Sequence, residues 1–92
     1  MSDMHLILYS KPDCHLCEGL QAKLEDIQRS PADFLVDFQL EIRDITTQPD
    51  WFERYQYEIP VLCVQLPTGE KPLPRLSPRA TLKQLAALLQ SL

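Results

Sequence analysis

Apolar and polar positions recur along this chain with two different periods, and the change of period marks the elements. His5-Leu6-Ile7-Leu8-Tyr9 is an almost unbroken apolar run, which predicts a short strand covered on both faces. It ends at Ser10-Lys11-Pro12-Asp13. Leu16, Leu20, Leu24 and Ile27 follow at spacings of four, four and three, with Glu18, Lys23, Glu25 and Asp26 between them. Such spacing lines one stripe of a helix over about residues 14–29, and Ser30-Pro31 is read as its stop. Phe38, Leu40 and Ile42 then alternate with Gln39, Glu41 and Arg43. Period two with one wet face predicts a strand, and its charges suit a sheet edge.

Thr46-Thr47-Gln48-Pro49-Asp50 has a hydroxyl cap candidate, an early proline and an acid, which predict a short helix ending near Tyr57. Val61-Leu62-Cys63-Val64-Gln65-Leu66 reads as a second covered strand. Pro67-Thr68-Gly69-Glu70 is a turn. Lys71-Pro72-Leu73-Pro74-Arg75-Leu76 can be a strand only at an edge, because its prolines remove ladder donors. Ser77-Pro78 pairs a good cap with proline at the first helical position, ahead of Leu82, Leu85, Leu89 and Leu92 at helical spacing. The predicted order is β-α-β-α-β-β-α in one α/β domain spanning residues 1–92: a four-stranded mixed sheet flanked by three helices. The strand–helix–strand unit calls for parallel pairing, and the tight final turn for an antiparallel hairpin.

Composition narrows the function classes. The chain has 92 residues, of which 45% are hydrophobic and 24% charged, as in ordinary globular domains. No apolar run approaches the ~20 residues of a membrane helix, and residues 1–5 show no basic leader segment. Nine basic against thirteen acidic residues leave a net charge of −4, which gives phosphate backbones nothing to bind and argues against a nucleic-acid partner. Three cysteines are an odd number. In a chain without an export signal they suggest a reducing, cytoplasmic setting, not a disulfide framework.

Chemistry concentrates at Cys14-His15-Leu16-Cys17, at the junction of the first strand and first helix. The thiolate is the reactive form of cysteine. A helix start favours that anion through its unpaired N–H groups and partial positive charge, so Cys14 is the expected nucleophile. Cys17, one turn in and more covered, is the resolving thiol. Lys11 supports a thiolate at Cys14, Asp13 opposes it, and His15 is read as solvent-exposed. A zinc knuckle is the competing reading. It commonly needs two such pairs, and only Cys63, His5 and His15 remain, so no metal is expected. Cys63, among Val61, Leu62 and Val64, reads as a buried core thiol. Trp51, Phe52, Tyr55 and Tyr57 read as core and rim packing around the second helix.

Tyr9-Ser10-Lys11-Pro12-Asp13-Cys14-His15-Leu16-Cys17, with Glu58-Ile59-Pro60-Val61 some forty residues later, resembles the glutaredoxins of the thioredoxin-fold superfamily. The likeness is greatest to small bacterial members with a Cys-His-Leu-Cys motif, and it spans essentially the whole chain. The resemblance implies thiol–disulfide oxidoreductase activity on protein or glutathione mixed disulfides. It makes Pro60 a cis-proline facing Cys14, with Ile59 offering its backbone to the substrate and Lys11 placed to hold a glutathione carboxylate. No cofactor is built in. Electrons are expected from glutathione or a thioredoxin-type reductase, and the protein is expected to act as a monomer. Two family features are absent: His15-Leu16 replace the usual Pro-Tyr, and Leu73-Pro74-Arg75-Leu76-Ser77-Pro78 stands where a Gly-Gly pair normally grips glutathione. The alternative from another class is a non-catalytic thioredoxin-fold module that holds a partner or a metal through the same cysteines.

Overall fold

A computed structural model describes residues 4–92; the leader reading of the first residues falls partly outside them. The elements are β1 (His5–Ser10), α1 (His15–Gln28), α2 (Pro31–Phe34), β2 (Gln39–Asp44), a 3₁₀ turn at Ile45–Thr47, α3 (Pro49–Tyr55), β3 (Val61–Leu66), β4 (Gly69–Pro72) and α4 (Leu82–Gln90). The sheet order is β2-β1-β3-β4. β1 runs parallel to β2 and antiparallel to β3, and β3 pairs antiparallel with β4. The mixed sheet and both predicted edges are therefore as the patterning implied.

Alternation of side chains along β1 and β3 feeds two cores, one on each face. Leu6, Leu8, Leu62 and Val64 meet Leu24 and Ile27 of α1 and Leu85 and Leu89 of α4. Ile7, Tyr9 and Cys63 point the other way, against Ile45 and Tyr55. This explains the unbroken apolar runs, since strands roofed on both faces need no polar side. Over the second core, Arg43 of β2 joins both sheet edges. It donates to the Tyr9 hydroxyl at 2.8 Å and to Glu70 of β4 at 3.1 Å, and it pairs with Glu41. Its guanidinium also lies over the rings of Tyr9 and Trp51. Tyr9 in turn donates to Glu70.

Several elements differ from the patterning. Among the described residues there are four α-helices, not three, because Ser30-Pro31 starts the short α2 instead of only ending α1. The last helix begins at Leu82 and not at Pro78. Thr81 and Gln84 form a reciprocal capping box, the Gln84 N–H donating to Thr81 Oγ1 at 3.1 Å and the Thr81 N–H to Gln84 Oε1 at 2.8 Å, and two satisfied donors outweigh the single cap Ser77 could supply. Leu92 is left outside that helix and exposed. β4 is earlier and shorter than read, since the turn takes only Pro67-Thr68 and Gly69, at φ +127°, accepts a backbone geometry closed to other residues. α3 ends at Tyr55. Tyr57, read as packed, is 92% exposed, and Phe52 is exposed as well.

The second core carries a pH signature. Burial pushes the pKa of the Tyr9 hydroxyl up, and the bond to the Glu70 carboxylate pushes it up further. Burial likewise raises Tyr55 and the Cys63 thiol. A raised acid keeps its proton in the folded state at a pH where the unfolded chain has released it. The folded state then binds more protons, and stability falls as pH rises. The loss is expected to begin near the ordinary cysteine and tyrosine values of about 8.5 and 10. Urea midpoints should drop between about pH 7.5 and pH 10.5, and Tyr9→Phe should shrink that drop. A midpoint unchanged over the same range would contradict the assignment.

Candidate redox site

The site forms where β1 ends. Lys11 and Pro12 carry the chain off the sheet, and Asp13 adopts the left-handed conformation at φ 62°, which a short polar side chain tolerates. That turn delivers Cys14 to the N-cap of α1 in extended backbone geometry. Its sulfur accepts the Cys17 N–H at 3.2 Å, so the cap role usually filled by Ser, Thr, Asp or Asn is here filled by a thiol. The bond satisfies one of the unpaired donors of the helix start, and the partial positive charge of that terminus favours an anion there. Cys17 is only 2% exposed, whereas Cys14 is half-buried. The two Cα atoms are 5.2 Å apart and the sulfurs are at bonding distance, inside the roughly 4.4–6.8 Å range that a disulfide spans.

The remaining predicted residues fall into two groups. Pro60 follows a cis Ile59–Pro60 bond and shares a groove with His15 and Leu16, the residues between the cysteines. Ile59 packs partly into the second core. Its N–H is already donated to Tyr55 O at 3.1 Å, while among the described residues its carbonyl accepts no such backbone bond. Lys11 is exposed in the turn before Cys14 and does not line the groove. His15 is exposed, 3.7 Å from Glu18. Cys63 is buried in β3, outside the site. Among the described residues no group of three or more His, Cys, Asp or Glu side chains is placed to hold a metal ion, and no helix is long and apolar enough to cross a membrane.

The groove's far wall has no local signature in the sequence. The periodicity of α1 puts Leu16 on the buried stripe, yet it is 52% exposed, and the buried residue of that first turn is Cys17. Leu16 instead begins an open groove of about 520 Å³ that runs past Leu20 and Pro60 to Leu73 and Leu76. Two cations tie the wall in place. Lys23 of α1 donates to Pro78 O at 2.7 Å and to Ala80 O at 2.8 Å, and Arg75 donates to Glu58 O just before the cis bond. No local pattern announces these contacts, since each spans 17 residues or more.

Residues 5–90 match the model of the glutaredoxin-like domain family (DUF836). No curated protein matches. Solved structures do: a thioredoxin variant from Halobacterium salinarum, at 16% identity over 98% of this chain and 74% of that one, has a TM-score of 0.69. Oxidized mitochondrial thioredoxin 3 from Saccharomyces cerevisiae, at 19% identity, covers 100% of this chain and 81% of its own, with a TM-score of 0.63. A structural-genomics target protein from X. campestris, at 25% identity, covers 95% and 97% respectively, with a TM-score of 0.57. The thioredoxin likenesses establish a shared fold.

Proposed function

We propose that this chain, which belongs to the glutaredoxin-like domain family, is a cytoplasmic thiol–disulfide oxidoreductase that reduces protein or glutathione mixed disulfides. The observation that carries the reading is the capping geometry: one half-buried sulfur at the head of α1, with a covered second sulfur one turn behind it. In the reduced protein the Cys14 thiolate attacks one sulfur of the substrate disulfide. The substrate S–S bond breaks, a Cys14–substrate S–S bond forms, and the departing thiolate takes a proton from water. Cys17 then gives up its proton and attacks Cys14 Sγ, which forms the internal disulfide and releases the second substrate thiol. Two electrons pass to the substrate, and a thiol donor, glutathione or a thioredoxin-type reductase, returns them. Ile59 and Pro60 form the substrate platform, Lys11 adds positive potential near Cys14, and the protein acts as a monomer.

A holding role for the same cysteines is the competing function. Reduction of a protein disulfide and of a glutathione mixed disulfide, followed beside the metal content of the purified chain, separates the two. Turnover that requires the cysteine pair supports the oxidoreductase. Stoichiometric metal without turnover would favour the holding role.

A further inference from the structure

We infer that the groove beside the cysteine pair selects polypeptide disulfides flanked by an apolar side chain and disfavours the glutathione moiety; this rests on the redox reading above and adds its substrate class. The groove opens at Leu16, inside the cysteine motif, and its volume of about 520 Å³ is in the range of ligand-binding clefts. Leu16 stays 52% exposed and Leu76, on the facing wall, 40% exposed. Such side chains offer apolar area that only a partner can cover.

Charge points the same way. Glutathione carries two carboxylates and an ammonium. The groove's lining contains one acid, Glu58, and its cations Lys23 and Arg75 are both engaged with backbone carbonyls of the wall itself. A glutathione moiety seated here would lose water from its carboxylates against leucine and proline, at a cost those engaged cations offset poorly. An extended peptide has no such penalty. The Ile59 carbonyl can accept one backbone N–H from it, and an apolar residue beside its cystine can enter against Leu16 and Leu76. The chemistry is the exchange given above: the peptide's S–S bond is reduced to two thiols as the Cys14–Cys17 bond forms.

The test is a single-turnover measurement on the reduced protein, with no other reductant present. Three probes are compared: a short peptide with one internal disulfide and leucine beside the attacked cysteine, the same peptide with aspartate there, and the glutathione mixed disulfide of a one-cysteine version. The leucine peptide is expected to oxidise the protein about 10-fold faster than either of the others, the scale set by partly burying one leucine side chain. Leu76→Asp, at an exposed position, should collapse the leucine-to-aspartate ratio to about twofold or less. Equal rates for the three probes, a fastest reaction with the glutathione probe, or an unchanged ratio in Leu76→Asp would overturn the inference alone. No reaction with any probe would overturn the oxidoreductase reading together with it.

Discussion

Cys14→Ser is expected to lower kcat/KM for disulfide reduction by about three orders of magnitude or more, as loss of a covalent nucleophile does. A serine hydroxyl can occupy the N-cap and accept the Cys17 N–H as the sulfur does, so the fold should survive while the reacting atom is gone. Cys17→Ser should behave differently. The Cys14 thiolate still attacks, but nothing one turn behind it can resolve the product, and the protein should accumulate as a covalent adduct whose mass equals protein plus substrate half. Cys63→Ala should leave turnover within about twofold, because that thiol is buried in β3 and its ionisation is suppressed by burial. Turnover in Cys14→Ser comparable to the native chain would remove the basis of the mechanism.

Leu24→Ala is expected to cost about 2–5 kcal/mol of folding stability, the range for emptying a leucine site in a closed core. Leu24 is fully buried between α1 and the sheet, in the cluster with Leu6, Leu8, Leu85 and Leu89. Little of the vacated space can be refilled, since its neighbours come from rigid strands and helices. Leu16→Ala, two turns earlier on the same stripe, should cost about 0.5 kcal/mol or less of folding stability, as exposed positions do. Comparable losses at the two sites would mean that Leu16 is covered in the folded protein as Leu24 is.

That contrast shows what the sequence could and could not convey. Periodicity reports which face of a helix is apolar, but not which positions on that face a neighbour covers, so Leu24 is legible and the exposure of Leu16 is not. β1, β3 and their pairing were legible because both faces are roofed and the apolar runs are continuous. Ser-Pro pairs were ambiguous for a physical reason. The same dipeptide starts α2 at Ser30-Pro31, yet at Ser77-Pro78 it yields to the stronger Thr81–Gln84 box four residues on. The cysteine motif was legible because both sulfurs sit on one helical turn, a purely local relation. Arg43 linking both sheet edges through Tyr9 and Glu70, and the Lys23 and Arg75 ties that shape the groove, join residues distant in sequence, where local pattern carries no signal.

The proposed exchange requires Cys14 to be the accessible sulfur, activated by the head of α1, with the other two thiols covered. Limiting iodoacetamide added to the reduced protein near neutral pH, with each cysteine followed by peptide mass analysis, tests this directly. Carbamidomethylation is predicted to reach Cys14 first, and faster than it labels the same residue in the urea-unfolded chain, while Cys17 and Cys63 lag far behind. Labelling that reaches Cys17 or Cys63 as quickly as Cys14, or that proceeds no faster at Cys14 in the folded protein than in the unfolded one, would contradict it.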